Sequence, residues 1–264
     1  ELIKELMPEI SNIFQSESVL SEAKGVASQI GEVARGILQE FEIAIQKDAA
    51  KNPVSGGNFH GLTRYVMNYI KLLVVYSSSL EHLLRGKKRE IPRSLGVETF
   101  GLSEGLRSTA ANESESSLAI QVMWLIVHLE RNLEEKSKLY SDPSMGFLFL
   151  MNNVHYIVHK VRQSELVSLL GDGWIRKHSG QVRVYAAIYI ETAWQKVFSC
   201  LKEEGLVSNG RSGSSSGIAT FAIKDRFKKF NLTFEEVHAS QSNAIVPNLQ
   251  LREELRLAIA EKLL

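Results

Sequence analysis

The chain has 264 residues, 44% hydrophobic and 23% charged, the balance of a folded protein and not of a disordered one. A formal net charge of +1 removes any global electrostatic demand for nucleic acid or membrane, and the length suffices for one or two domains with a real core. The single cysteine, Cys200, excludes an intrachain disulfide and a multi-cysteine metal site and fits a reducing cytosol, while no stretch approaches the ~20 apolar residues of a membrane span.

The opening Glu-Leu-Ile-Lys-Glu has neither the basic start nor the long apolar stretch of a signal peptide. It reads as the inside of a helix, and the chain stops at Glu261-Lys262-Leu263-Leu264 without a cap, so the sequence is expected to belong to a longer protein. Prolines fall as punctuation at Pro8, Pro53, Pro92, Pro143 and Pro247, and the gaps between them are filled with apolar residues at the helical period. The first long helix is predicted over about 17–51. Leu20, Ala23, Val26, Ile30, Val33, Ile37, Phe41 and Ile45 step by three or four along it, one continuous apolar stripe. Asn52-Pro53 and Ser55-Gly56-Gly57-Asn58 end that helix. A second helix is predicted over about 61–85 on Leu62, Tyr65, Tyr69, Leu72, Tyr76 and Leu80, with 70–76 apolar nearly all round. A glycine- and serine-rich segment over about 86–113 reads as a mobile loop.

The third helix, about 114–141, carries Leu118, Val122, Leu125, Leu129 and Leu133. Asp142-Pro143 then reads as an N-cap followed by proline at the first helical position. It opens a fourth helix with Phe147, Leu150, Val154, Ile157 and Val161. A short helical turn at about 164–170 is followed by a break at Gly171-Asp172-Gly173 and a long helix over about 172–203. A Gly/Ser-rich loop over about 205–220 precedes a helix at about 221–244, and Asn248 caps the last one. No strand pattern is present, so the class is all-α, as a bundle or a stack of helical hairpins. The division expected is 1–141 and 142–264, one long loop in each half.

Few residues offer chemistry. His155 and His159 stand at i and i+4, a spacing that binds zinc, but Tyr156 occupies the position where the zinc-protease helix needs glutamate, and no third ligand is indicated. Adjacent acids such as Glu134-Glu135 and Glu253-Glu254 do not face each other on a helix and read as solvated faces. Cys200, inside Val197-Phe198-Ser199-Cys200-Leu201, reads as a buried inert thiol. Phosphate-loop, dinucleotide and nucleophile-elbow motifs are missing. No catalytic residue, metal or cofactor is therefore expected. Two basic clusters stand out: Lys87, Lys88 and Arg89 in the first loop, and Lys224, Arg226, Lys228 and Lys229 interleaved with Phe227 and Phe230. Either could meet anionic lipid headgroups or an acidic partner. The plainer reading of the second is a solvated face beside two core phenylalanines. The aromatic content there is too thin for nucleic-acid stacking.

Several blocks carry a resemblance. They include Leu-Thr-Arg-Tyr-Val-Met-Asn-Tyr (62–69), Phe-Leu-Met-Asn-Asn-Val-His-Tyr-Ile-Val-His-Lys-Val (149–161) and Ser-Glu-Leu-Val-Ser-Leu-Leu-Gly-Asp-Gly-Trp-Ile-Arg-Lys-His (164–178). Arg-Phe-Lys-Lys-Phe-Asn (226–231), Val-Pro-Asn-Leu-Gln-Leu-Arg-Glu-Glu-Leu-Arg (246–256) and Glu32-Val33-Ala34-Arg35-Gly36 join them. Together they resemble the plant-type seventy-kilodalton subunit of the exocyst vesicle-tethering complex, over nearly the whole chain. The resemblance implies an elongated rod of stacked antiparallel helical bundles. It implies a non-catalytic scaffold, cytoplasmic and recruited to the plasma-membrane periphery, that binds other exocyst subunits and Rho-type small GTPases. Some plant members take part in defence, where pathogen effector proteins engage them. The family's N-terminal coiled coil and most of its basic C-terminal domain are not in this stretch, which implies weak or no membrane binding by it.

Overall fold

The structure, a computed structural model, describes residues 2–13, 16–84, 116–201 and 216–264. The described residues are helices with short connections and contain no strand, as the apolar period requires. In chain order the helices are α1 (Leu2–Ile13), α2 (Glu17–Lys47), α3 (Gly61–Val75), α4 (Ser77–Leu84), α5 (Ser117–Ser137), α6 (Pro143–Arg162), α7 (Leu166–Leu201), α8 (Ser216–Gln241) and α9 (Leu249–Leu263), with a short 3-10 turn at Ser55–Gly57. The expected loop at about 86–113 lies outside the described residues. Only the end of the second expected loop is described, and there α8 has already begun at Ser216.

Local chemistry explains most boundaries. Asp142 Oδ1 accepts the Ser144 N–H at 2.9 Å, so Asp142-Pro143 opens α6 as the sequence indicates. Asn248 Oδ1 accepts the Leu251 N–H at 2.8 Å and opens α9. Gly171, at φ 78° and ψ 164°, interrupts α7 where the glycine pair predicts a break. Other boundaries differ from expectation. The predicted second helix is two helices, because Tyr76 (φ −100°, ψ 21°) leaves the helical region between α3 and α4. Helix α1 runs through Pro8, which costs it one backbone hydrogen bond without ending it.

Contacts among the described residues divide the chain into two compact units. The first takes Glu1–Ala50, His60–Lys136 and Val154–Ser179, and the second takes Lys51–Phe59, Ser137–Asn153 and Gly180–Leu264. In the first unit α5 is buried on almost every side, with Leu118, Val122, Trp124, Leu125, Leu129 and Leu133 all below a tenth exposed. In the second unit the core gathers Leu148, Phe149, Tyr185, Tyr189, Val197 and Leu255. Cys200 is buried there, its thiol donating to the Lys196 carbonyl at 3.3 Å.

Asn152 joins two other segments of the second unit. Asn152 Nδ2 donates to the carbonyls of Gly57 (2.7 Å) and Ile245 (2.8 Å), and the Ile245 N–H returns to the Gly56 carbonyl at 2.8 Å. Gly56 holds φ at +65°, and a Cβ there would meet the Asn243 carbonyl oxygen at 2.5 Å and the Ile245 side chain at 2.6 Å. We expect Gly56→Ala to destabilise the chain by about 1–3 kcal/mol from the left-handed backbone alone, with the overlap adding to it. Urea denaturation measures this, and an unchanged midpoint would mean that the turn is not held as described.

Candidate functional site

The sequence-predicted basic residues separate. Lys87, Lys88 and Arg89 lie outside the described residues. Lys224, Lys228 and Lys229 are exposed on α8, and Arg226 is half-buried. Phe230 and Phe234 stack with centroids 5.9 Å apart, and Phe234 meets Trp194. Phe227, read from sequence as core on the plainer reading, is 65% exposed, with Ile223 also exposed on the same helix. The α8 face therefore presents an aromatic ring among lysines. His155 and His159 stack ring on ring at 6.1 Å, and no group of three metal-capable side chains occurs among the described residues. No described helix is long and apolar enough to cross a membrane.

The other open surface is on α2 and α3, and here the structure differs from expectation. The one continuous apolar stripe read from the sequence is not buried as a single row: Ile45 is buried, and the middle part of the stripe is not. Gly31, Leu38, Glu42 and Ile45 are buried. Val26, Ile30, Val33 and Ile37 are exposed at 50, 38, 62 and 53%. The cause lies in α4. Gly31 admits that helix closely, since a Cβ there would sit 3.3 Å from the Leu83 carbonyl oxygen. Arg35 Nη1 donates to the same carbonyl at 2.7 Å. This pair holds the Gly31 side of α2 against α4. Beyond the exposed row lies an open cleft of about 330 Å³ lined by Phe41, Ala44, Ile45, Asp48, His60, Gly61, Leu62 and Tyr65. Phe41 packs on Tyr65 (6.0 Å, edge-on) and Tyr69 (4.1 Å), joining α2 to α3 along the cleft wall. At its floor His60 caps α3, its Nδ1 accepting the Leu62 N–H at 3.0 Å. Burial, and after it the Lys136 charge, holds the imidazole below its ordinary pKa against the pull of Asp48, which keeps Nδ1 free to accept.

Polar groups that the sequence reading passed over sit inside the first unit, on α5. Gln121 Nε2 donates to Glu42 Oε1 at 2.6 Å, and Gln46 Nε2 donates to His128 Nδ1 at 3.0 Å. Asn132 Nδ2 donates to the Asp48 carbonyl at 2.8 Å, and Lys136 pairs with Asp48 Oδ2 at 2.9 Å, so two α5 side chains close the C-terminal end of α2. At the other end of α5, Glu81 of α4 accepts Ser116 Oγ–H and the Ser117 N–H at 2.7 Å and the Leu118 N–H at 3.1 Å. A helix predicted from its apolar period alone carries no signal for these pairs, since the partners are long-range.

Glu130 and His178 form the most buried titratable pair, 5% and 1% exposed and 3.6 Å apart. His178 Nδ1 lies 2.8 Å from the Trp174 carbonyl and the ring stacks on Trp174, centroids 3.7 Å apart. Burial pushes the Glu130 carboxyl up to about 8, with Glu134 adding to the rise and Lys177 opposing it. Burial likewise takes His178 down to about 4. Sealed from solvent, the pair acts on stability, not on a substrate. Between about pH 4 and 6.5 the unfolded chain binds a proton at His178 that the folded chain does not, so stability climbs with pH. Between about pH 4.5 and 8 the folded chain keeps a proton on Glu130 that the unfolded chain has lost, so stability falls with pH. Above pH 6.5 only the second effect operates. We expect the unfolding free energy to drop by at most about 2 kcal/mol from pH 6.5 to 8 through this group. Glu130→Gln should remove that drop in denaturation curves taken across the window. An unchanged slope in the variant would refute the assignment.

Comparison with known proteins follows the helical pattern end to end. The family described as the C-terminal part of the Exo70 component of the exocyst complex matches residues 1–264. Arabidopsis thaliana exocyst complex component EXO70A1 is 38% identical over 271 residues, covering 100% of this chain and 39% of its own length. Arabidopsis EXO70B1 is 37% identical over 266 residues, covering 100% and 38%. Human exocyst complex component 7 is 24% identical over 267 residues, covering 97% and 34%. The chain thus spans about two fifths of the length of these Arabidopsis relatives. The solved structure of S. cerevisiae Exo70 superposes with a TM-score of 0.67 at 16% identity, over 98% of this chain and 50% of that one, which shows a shared helical fold.

Proposed function

Since this chain belongs to the Exo70 family of exocyst subunits, we propose that it is the non-catalytic scaffold portion of such a subunit, tethering secretory vesicles to the plasma membrane through protein–protein contacts. The observation that carries this reading is the family match across residues 1–264. Its physical counterpart, among the described residues, is a set of long helices with polar pairs inside, such as Gln121 with Glu42 and Lys136 with Asp48, and open surfaces outside. Affinity in such a protein comes from apolar anchors in grooves between helices, surrounded by polar rims. The partners that follow are other exocyst subunits first, with Rho-type small GTPases and pathogen effector proteins as finer assignments. The place of action that follows is the cytoplasm at the plasma-membrane periphery. With the purified chain as bait in plant extract, we expect other exocyst subunits among the proteins recovered by mass spectrometry. Their absence, with helicity confirmed by circular dichroism, would place the assembly surface outside this stretch.

A second reading rests on Phe227 standing 65% exposed among Lys224, Lys228 and Lys229. An amphipathic basic face of that kind suits an anionic phosphoinositide surface, each base contributing about 1 kcal/mol near a charged leaflet. On that reading the chain co-sediments with vesicles containing phosphatidylinositol bisphosphate. Binding weakens at high salt and is lost in Lys228→Glu/Lys229→Glu, whereas salt-independent binding would reject the patch.

A further inference from the structure

We propose that the exposed row of α2, with the cleft at its end, is a docking site for a basic-flanked amphipathic helix supplied by a protein partner. The inference deepens the scaffold reading and rests on it.

The spacing carries the first part of the argument. Val26, Ile30, Val33 and Ile37 are separated by four, three and four residues, the spacing of one apolar ridge along a helix face. Every one is β-branched, so the row is stiff and loses little side-chain freedom on binding. The row stays exposed although α1 packs against α2. It continues through Ala44 into the cleft, where Leu62 and Tyr65 of α3 form the opposite wall and Tyr65 is itself exposed. From Val26 to Ala44 the track is about 27 Å long, at 1.5 Å per helical residue. That length suits an occupant of five helical turns.

Charge identifies the occupant. Glu22 lies four residues before Val26 and Glu40 three residues after Ile37, both exposed, so acids stand at the two ends of the row. Gln29 and Gly36 lie between them on the same flank, uncharged. Of the bases of α2, Lys24 is on the far side of the helix by period, Arg35 is committed to Leu83, and Lys47 is exposed at the cleft end of the track, next in sequence to Asp48 of the cleft lining. The exposed bases of α3, Arg64 and Lys71, are not part of the cleft lining. Residues 1–50 as a whole carry nine acids and four bases. A second copy of this row would bring Glu22 and Glu40 against like charges, whereas a helix with Lys or Arg beside its apolar ridge is attracted and held in register.

The test uses the 264-residue chain and two synthetic peptides of about three heptads. Both carry isoleucine and leucine at the seam positions. One has lysine and the other glutamate at the flanking positions. We expect the lysine peptide to bind in calorimetry and the glutamate peptide to bind at least about tenfold more weakly. Val33→Gln/Ile37→Gln, which removes the apolar row from an exposed face, should abolish binding while thermal unfolding stays in place. Glu22→Lys/Glu40→Lys should reverse the preference between the peptides. The proposal is overturned if neither peptide binds, if both bind alike, or if the Gln pair leaves binding unchanged. It is also overturned if sedimentation shows a dimer that the Gln pair dissolves, since the occupant would then be a second copy. Recovery of exocyst subunits without peptide binding removes the groove and leaves the scaffold reading. Peptide binding without recovery of those subunits does the reverse.

Discussion

Helix α5 is buried on nearly every side, and the first unit is organised around that constraint. A helix in such a position cannot leave polar groups to water, and an unanswered buried group costs about 1–3 kcal/mol. Gln121, His128, Asn132 and Lys136 all lie below a tenth exposed and each finds its counterpart on α2 or just past its end. Apolar packing alone would hold two such helices together in many registers. Four polar pairs spread along the shared length permit one. The same pairs finish α2, whose last carbonyls have no partner within the helix, so a side chain that must be neutralised and a helix end that must be capped satisfy each other. Glu81 applies the logic at the opposite terminus of α5, where free N–H groups draw a carboxylate from α4.

Glu130 is the exception that the arrangement does not answer with a hydrogen bond. Neither of its carboxyl oxygens has one, and the His178 Nε2 atom facing it has none either. Its protonation is what makes burial tolerable: a neutral carboxyl loses far less on leaving water than a carboxylate does. The pair is therefore a cost carried at neutral pH, compensated by the apolar contacts around it, and its proton is the place where the interior feels the solvent's pH.

Helix existence, the all-α class and the caps at Asp142 and Asn248 were legible in the sequence, because apolar period and capping chemistry are local. So was the break at Gly171. The division at Tyr76 was not, since its residues remain apolar at helical spacing on both sides. The interior pairs were not legible either. Each joins residues tens of positions apart, and a glutamine or lysine inside an apolar helix gives no hint of which partner awaits it. Of the two candidate surfaces, the lysines of α8 were named from sequence, but Phe227 was set down with the core, as an aromatic at helical spacing usually belongs there. The groove of α2 and α3 was hidden by a different effect. Its apolar residues form one continuous stripe in the sequence, and the period alone does not separate the part that is buried from the surplus that is not.

That surplus follows from arithmetic on one helix. The apolar positions of α2 span a stripe wider than one neighbour can cover, and the neighbour is chosen not by the largest residues but by the smallest. Gly31 lets α4 approach and Arg35 fastens it, which turns Leu38, Glu42 and Ile45 inward and leaves four β-branched residues facing out. A glutamate, Glu42, is buried in preference to isoleucines because Gln121 waits for it. Packing driven by apolar area alone would have chosen the other face. The face actually buried is the one with specific polar partners, and the apolar row is left to the surface.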